Sequence, residues 1–244
     1  MMIELAAGTE HLPLQLASRL LMAPGVWAPD SRLSLVGLGA LVTPPLGWEW
    51  DGEAAVWEAH VGGFSWTPPR RPLERFLRRL SRERDNLPRI ITLAPDVPQV
   101  MERAMREAEI EGTAGYLLWD ATPEVLAGAR RGGLALPLLA EVPSNEAGER
   151  GAALIDAGAD ALWIGAPRVR GTRLWGPAVL PLVLAALEDE RVRESGVPLM
   201  AGAGIGSAAD ALRLRAAGAE TVALDPAWWV QPSLADEVAG ALTS

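Results

Sequence analysis

The sequence predicts an α/β fold, namely a single (β/α)8 TIM barrel with a short N-terminal β-hairpin. Three observations lead to this prediction. The length of 244 residues is typical of one such barrel. Short apolar runs, typical of strands buried on both faces, alternate along the chain with longer segments of helical period. Counting these runs gives eight strands alternating with helical connections. We therefore expect residues 1–244 to form one domain.

The predicted elements follow one another in chain order. Residues 3–16 alternate weakly in polarity around a turn, and we expect them to form a hairpin at the bottom of the barrel. The predicted strands are 20–23, 40–43, 89–94, 115–119, 136–141, 161–164, 197–201 and 221–224. The predicted helices are 72–85, 97–110, 122–132, 144–158, 177–194, 208–217 and 234–242. The connection at 44–71 has no helical period, and a connection of this length usually has a function.

The stretch at 197–226 predicts a βαβ unit with an anion site. An apolar strand is followed by a turn containing Gly202, Gly204 and Gly206, and Ser207 is placed to cap the next helix. Free backbone N–H groups and the helix dipole point outward together at such a turn and favour an anion. As strands seven and eight of a barrel, these would be the pair where phosphate commonly binds. The alternative is a tight turn without a ligand.

The composition argues against several classes of function. The net charge of −9 disfavours nucleic acid as a partner, because a phosphate backbone selects basic surfaces. No apolar run reaches the length of a membrane span and the N-terminus is acidic, so we expect a cytoplasmic protein with no membrane partner. The sequence contains neither cysteine nor lysine, which rules out a thiolate metal site and a Schiff base. His11 and His60 are the only histidines, so we expect neither a histidine triad nor a zinc site, and the sequence assigns no metal ligands.

Several segments resemble the motifs of a known family. In the C-terminal half these are GADALWIGAP, WGPAVLPLVL and VPLMAGAGIGSAADALRLRAAGAETVAL, and nearer the N-terminus they are LLMAPGVWAPD, LGALVTPPL and HVGGF. Across nearly the whole chain, and in a consistent order, they are similar to segments of the dihydroorotate dehydrogenase family, flavin enzymes of pyrimidine biosynthesis built on this barrel. The resemblance implies an FMN cofactor, an oxidoreductase activity and a homodimer.

The resemblance also implies where FMN would bind. Its phosphate would lie over residues 202–207 and Gly176, with the ring near Ala23 and Thr43. The residues that match the family's flavin pocket are Ala23, Gly25, Thr43, Gly176, Gly202, Gly204, Ile205, Gly206 and Ser207. Glycines at the rim of a barrel serve packing equally well, so a structural role is the alternative.

The family's catalytic positions are replaced in this chain. One family lysine follows strand two, where this chain has Pro44, and the other ends strand five, where it has Glu141. The segment that leads to the family's base is replaced by one that contains Asp120. The Gly-Thr pair that helps bind the flavin phosphate is replaced by Asp225 and Pro226, which adds a negative charge and removes an N–H donor. We therefore do not expect dihydroorotate oxidation by the family's mechanism.

Tryptophans at the ends of the predicted strands favour a second hypothesis. They could stack on a flat aromatic ligand, bind a partner, or fill the space of a lost cofactor. They are Trp27, Trp48, Trp50, Trp57, Trp66, Trp119, Trp175, Trp228 and Trp229. Trp163, inside strand six, is expected in the core or against a helix. This hypothesis describes a pseudoenzyme, a scaffold or sensing relative whose face is plugged or binds a partner.

Carboxylates at the strand ends favour a third hypothesis. Asp120 and Glu141 end strands four and five, and such a pair could act as acid and base on a small anionic substrate. Asp225, Glu49 and Asp51 are further carboxylates expected at the same face, and converging carboxylates of this kind could alternatively bind a divalent cation. Three arginines after strand six could clamp the anion or form an ordinary solvated loop. They are Arg168, Arg170 and Arg173.

Overall fold

The computed structural model of the chain describes residues 3–5, 12–26, 36–47, 58–60, 62–68, 70–82, 86–94, 98–131 and 135–243. Its strands are β1 (Ile3–Leu5), β2 (Leu14–Leu16), β3 (Leu20–Met22), β4 (Leu41–Val42), β5 (Leu46–Gly47), β6 (Glu58–His60), β7 (Gly63–Ser65), β8 (Arg71–Pro72), β9 (Arg89–Leu93), β10 (Thr113–Leu118), β11 (Leu138–Pro143), β12 (Ala161–Gly165), β13 (Arg168–Val169), β14 (Thr172–Trp175), β15 (Leu199–Ala201) and β16 (Thr221–Leu224). Its α-helices are α1 (Leu73–Leu80), α2 (Pro98–Ala108), α3 (Pro123–Arg131), α4 (Ala152–Asp156), α5 (Leu180–Glu188), α6 (Glu190–Arg193), α7 (Ala208–Ala216) and α8 (Leu234–Thr243). None of the described helices is both long and apolar enough to span a membrane.

A curled parallel sheet forms the centre of the fold. Its strands follow the order β3-β16-β15-β12-β11-β10-β9-β5-β8, and β4 also pairs with β9. The α/β prediction is therefore confirmed, but strand pairing among the described residues does not close the sheet into a barrel. Between β3 and the entry to β4, the Gly39 N–H donates to the Leu20 carbonyl at 2.7 Å. Among the described residues, this contact does not extend into a strand ladder between β3 and β4.

The second predicted strand, 40–43, corresponds to β4, and a further short strand, β5, follows it after two prolines. β4 and β5 both pair with β9, and Pro44 and Pro45 separate them. A proline has no N–H to donate to a ladder. The Thr43 hydroxyl accepts the Thr92 N–H of β9 at 2.8 Å, so the pairing continues through a side chain at this point.

The register of the strands identifies the inner face of the sheet. The Tyr116 hydroxyl donates to the Met105 carbonyl of α2, so Tyr116 faces the helices. Alternate residues of a strand point to opposite faces, and Leu117 therefore faces inward with its neighbour in register, Leu139. Two residues further along β11, Glu141 also faces inward. Its registered neighbours on β12 and β15 share that face, and they are Trp163 and Met200.

Several local elements differ from the prediction. The predicted helix at 177–194 consists of a 3-10 turn (Pro177–Val179), α5 and α6, because Asp189 is extended and its carboxylate accepts the Arg191 N–H to start α6. The predicted helix at 144–158 contains a 3-10 turn (Ser144–Glu146) and a π turn (Ala147–Gly151) before α4. The hairpin prediction is confirmed, since β1 pairs antiparallel with β2.

A second small sheet was not predicted. β13, β14, β7 and β6 pair antiparallel in that order. It joins residues from the long connection at 44–71 to the segment after β12, both of which the sequence indicated as irregular. The pairing of Trp175 with Phe64 brings the end of β14 against β7. The small sheet thereby places side chains of β14 next to the ends of the central strands.

Candidate functional site

The candidate site lies where the parallel strands of the central sheet end. Asp120 follows β10, Glu141 lies in the last half of β11, and Gly202 and Asp225 follow β15 and β16. Carboxyl ends of parallel strands meet at one edge of such a sheet, and active sites of barrel proteins are built there. Arg173 of β14 reaches this edge from the small sheet. The site therefore combines residues from distant parts of the chain.

The buried guanidinium of Arg173 connects two carboxylates. Its Nη2 donates to Glu141 Oε2 at 2.7 Å and to Asp120 Oδ1, and its Nη1 donates to the Ala166 carbonyl at 2.7 Å. The Arg173 side chain is only 2% exposed, whereas that of Asp120 is 34% exposed. The guanidinium carbon also lies 4.9 Å from the centroid of the Trp119 ring, a cation–π distance. The sequence offered two roles for this arginine, an anion clamp and a solvated loop residue, and its burial between two carboxylates favours neither.

Glu141 is fully buried and has one oxygen without a partner. Its Oε2 accepts from Arg173 and, at 3.3 Å, from the Asp120 N–H, while its Oε1 has no hydrogen-bond partner. Burial raises the pKa of Glu141 from 4.5 to about 7, with the Arg173 charge lowering it and the Asp120 charge raising it. The desolvation of the carboxylate thus outweighs its ion pair. A proton is held at this position up to near-neutral pH.

Asp120 completes the cluster from a strained backbone. Its φ of 55° lies in the left-handed region, which is uncommon for residues other than glycine. Its Oδ1 accepts from both Arg168 and Arg173. Arg168 also approaches Glu146 at 3.8 Å. Each charge of the cluster faces an opposite charge of the same chain, so an external anion would have to compete with these carboxylates for the guanidinium groups.

Two glycines give room to large inner side chains. A Cβ on Gly165 would lie under 3.0 Å from Glu141 Oε1, and a Cβ on Gly202 would lie under 3.0 Å from Trp163 Nε1. Trp163 is 1% exposed and shares the inner face of the sheet with Glu141. The Trp163 indole therefore fills the space that a Cβ would occupy at Gly202. The sequence suggested the core for Trp163 without indicating that it covers this glycine.

An anion-binding turn is present, and a carboxylate of the chain binds to it. Gly176 and Gly204 both have a left-handed φ, at 104° and 92°. Their N–H groups each donate to Asp225 Oδ2 at 3.1 Å. The Asp225 residue is 1% exposed. Two converging N–H donors and a buried negative charge are the arrangement expected at an anion site.

The rest of the glycine turn is bonded to a second carboxylate. The Gly206 N–H donates to Asp210 Oδ2 at 3.2 Å, and the Ser207 hydroxyl donates to the same oxygen at 2.9 Å. In return, Ser207 Oγ accepts the Asp210 N–H at the start of α7. The predicted N-cap is thus confirmed. The Gly206 N–H and the Ser207 hydroxyl, which the sequence suggested as donors to a phosphate, are therefore bonded to Asp210.

Tryptophans cover this end of the sheet. The Trp66 ring lies 6.1 Å from that of Trp175 and 5.2 Å from that of Trp229. The indole N–H of Trp175 donates to the Trp66 carbonyl at 2.7 Å, and that of Trp229 donates to the Val26 carbonyl at 3.1 Å. Trp228 is also buried, and its N–H donates to the Pro232 carbonyl. The predicted residues Trp27, Trp48, Trp50, Trp57, Glu49, Asp51 and His11 lie outside the described residues.

The remaining predicted positions are packed within the fold. Ala23 and Ile205 are fully buried, and a Cβ on Gly25 would lie 2.5 Å from Pro68 Cβ. His60, exposed on β6, lies 3.3 Å from Ser65 Oγ. Arg170, in the turn between β13 and β14, has a φ of 50°. No group of three or more histidine, aspartate or glutamate residues in the described ranges is placed to hold a metal ion.

The fold is similar to that of dihydroorotate dehydrogenase (DHODH) structures. The ligand-free DHODH from Eimeria tenella superposes with a TM-score of 0.73 at 13% identity, covering 94% of this chain and 84% of that chain. The E. tenella enzyme in complex with ferulenol gives a TM-score of 0.74 at 13% identity, with 94% and 81% covered. No protein-family model matches the chain, and no curated protein matches it. The comparison supports a DHODH-like fold.

The residues at the predicted phosphate position do not fit FMN in the pose that the resemblance implies. The donors of Gly176 and Gly204 are bonded to Asp225, and Trp163 covers Gly202. A phosphate placed against Asp225 would meet a buried negative charge. The assignment of these glycines to a cofactor stays a prediction.

Proposed function

We propose that this chain is a divergent protein of DHODH-like fold that acts as a non-catalytic scaffold or sensing protein instead of a flavin oxidoreductase. One observation carries the proposal. The buried Arg173–Glu141 ion pair, with Trp163 beside it on the inner face, fills the end of the sheet with side chains of the chain itself. Native interiors are close-packed, and a planar cofactor would have to displace these groups. Removal of either partner would leave the other buried group without its hydrogen bonds, which is strongly destabilising.

The charge at Glu141 supports the same proposal. The resemblance implies a lysine at this position, which would stabilise the negative charge of a reduced flavin. Glu141 has the opposite sign when ionised and is neutral when protonated, so it offers no such stabilisation. Arg173 does not supply the missing positive charge, because its Nη2 is bonded to two carboxylates.

The proposal includes a closed (β/α)8 barrel. The seven strands from β3 to β9 in the order of the sheet, together with β4, make eight parallel strands. The hydrogen bond from the Gly39 N–H to the Leu20 carbonyl joins β3 to the residues that lead into β4. Amide hydrogen exchange tests this closure. In a closed barrel the Gly39 amide is protected as strongly as amides inside β9, whereas exchange at the rate of an open edge would refute it.

Visible absorption spectroscopy tests the absence of flavin chemistry. The protein is purified without added cofactor, incubated with FMN, freed of excess and scanned. We expect no flavin bands to remain with the protein. The N–H donors that a flavin phosphate would need are bonded to Asp225, and side chains of the protein fill the space. Free flavin passed through the same desalting step is the control. Stoichiometric flavin that stays bound and is bleached by a reductant would overturn the proposal.

A second candidate function rests on the unpartnered oxygen of Glu141. A carboxyl group with a pKa of about 7 at the end of a barrel strand is suited to general acid–base catalysis. Asp120 and Arg168, each about one third exposed, would then contact a small anionic substrate. A panel of phosphorylated and carboxylated metabolites tests this, with melting temperature as the readout. A ligand that stabilises the unmodified protein but not Asp120→Asn would favour this function, and no stabilisation by any member would disfavour it.

The homodimer that the resemblance implies also stays a prediction, to be tested by light scattering.

A further inference from the structure

We propose that the Asp225 carboxylate is an internal substitute for a phosphate group, and that its removal opens an anion site for inorganic phosphate. The inference deepens the proposed function, and it rests on that function for the statement that the pocket is filled by the chain itself. Phosphate is the class of ligand whose place the carboxylate takes, and Asp225 is the residue that excludes it.

The geometry of the donors supports an anion site. The N–H groups of Gly176 and Gly204 converge on the single oxygen Oδ2 of Asp225, at 3.1 Å each. The two glycines come from different connections, one before the Pro177–Val179 turn and one after β15. Two backbone segments that aim their donors at one point form a cradle for an acceptor of concentrated negative charge.

The packing behind the donors fixes the cradle independently of its occupant. A Cβ on Gly204 would lie 2.9 Å from Leu180 Cα, and one on Gly176 would lie 3.0 Å from the Gly62 carbonyl oxygen. Both residues have a positive φ, which L side chains rarely adopt. The turn is therefore held by close backbone contacts on its outer side, and its N–H groups will keep their direction when the carboxylate is removed.

Asp225 accepts both hydrogen bonds of the cradle, so the donors need no external ligand. It follows β16 directly, so the strand brings its carboxylate to the donors at no cost in translational entropy. The residue is 1% exposed, and an external anion cannot share the position with it. Pro226, which follows, has no N–H to add to the cradle.

Phosphate titration of three variants tests the inference. Asp225→Ala removes the carboxylate and leaves both donors. Asp225→Asn keeps the shape and an oxygen acceptor. Asp236→Ala removes one exposed carboxylate of α8 and controls for net charge. Melting temperatures are measured in inorganic phosphate and in sodium chloride of equal ionic strength, with circular dichroism to confirm the fold.

Asp225→Ala alone is expected to gain a saturable stabilisation by phosphate. At a phosphate concentration about twenty-fold above Kd, the rise in Tm for a chain of this length is roughly 4–7 °C. The unmodified protein, Asp225→Asn and Asp236→Ala should show no difference between phosphate and chloride. A folded Asp225→Ala that does not respond would overturn the inference, as would an equal response of Asp225→Asn, which would show that charge and not occupancy excludes phosphate.

A second variant keeps the test decisive if Asp225→Ala does not fold in chloride. Recovery of its circular dichroism signal on addition of phosphate would then support the inference. Asp225→Ser, which keeps a small polar side chain, is titrated in parallel, and failure of both variants to respond would overturn it. The flavin experiment is read on the unmodified protein and this one on Asp225 variants, so failure of the proposed function and failure of the inference give different results.

Discussion

Replacement of Glu141 by glutamine isolates the effect of its buried carboxyl group on stability. The pKa of Glu141 is raised from 4.5 to about 7 in the folded protein, mainly by burial. The folded protein therefore keeps a proton that the unfolded chain releases above pH 4.5. Its stability falls as pH rises from about 4.5 to about 7 and is constant above that range, because both states are then ionised.

The magnitude follows from the difference between the two pKa values. A difference of about 2.5 pH units, at about 1.4 kcal/mol per unit, corresponds to about 3 kcal/mol in the free energy of unfolding. Between pH 5 and pH 8 the fall should amount to between about 2 and 3 kcal/mol. Glu141→Gln cannot titrate and lacks this contribution. Its absolute stability at any one pH is not the readout, because the amide also changes the hydrogen bonding at the unpartnered oxygen.

Urea unfolding at pH 5, 6, 7 and 8 measures the effect. All other carboxylates titrate in both proteins, so the quantity of interest is the stability of the unmodified protein minus that of Glu141→Gln at each pH. We expect this difference to fall with rising pH by the amount given above. Parallel pH curves for the two proteins would refute the assignment of a raised pKa to Glu141.

Two further predictions concern packing and a buried ion pair. Gly202→Ala should destabilise the protein by roughly 1–3 kcal/mol in urea unfolding, because its Cβ overlaps the Trp163 indole, while Gly240→Ala, with open space around it in α8, should be neutral or stabilising. Equal effects of the two substitutions would count against an indole over Gly202. Arg130→Ala should cost about 3–5 kcal/mol at neutral pH, because it leaves the Asp160 carboxylate, 4% exposed, without this cation. A loss of under about 1 kcal/mol, typical of a surface pair, would contradict it.

Local patterns in the sequence predicted most of the elements correctly. The apolar runs at 89–94, 161–164 and 221–224 correspond closely to β9, β12 and β16, because a strand buried on both faces needs a continuous apolar run. The N-cap at Ser207 was also visible, since capping depends on residues three positions apart. The break in the helix predicted at 177–194 was missed because its apolar period continues across Asp189, where the backbone leaves the helix.

The site could be predicted only in part. Asp120, Glu141 and Asp225 were identified as carboxylates at strand ends, since that placement follows from the order of strands alone. The small antiparallel sheet was missed because its strands β6 and β7 come from a stretch rich in glycine and proline that has no clear period. The burial of Arg173 was missed with it, since that sheet carries the arginine into the site.

The α/β class, the order of the elements and the residue types at the strand ends follow from local sequence patterns alone. Each of these depends on neighbours within one helix or strand. The tertiary structure decided which groups satisfy one another: Arg173 reaches carboxylates 53 and 32 residues away, and Asp225 accepts the N–H of Gly176, 49 residues away. Such pairs depend on the curvature of the sheet and on where its connections cross. For this reason the glycine turn that the sequence predicted as a phosphate site is bonded to Asp225 of the same chain.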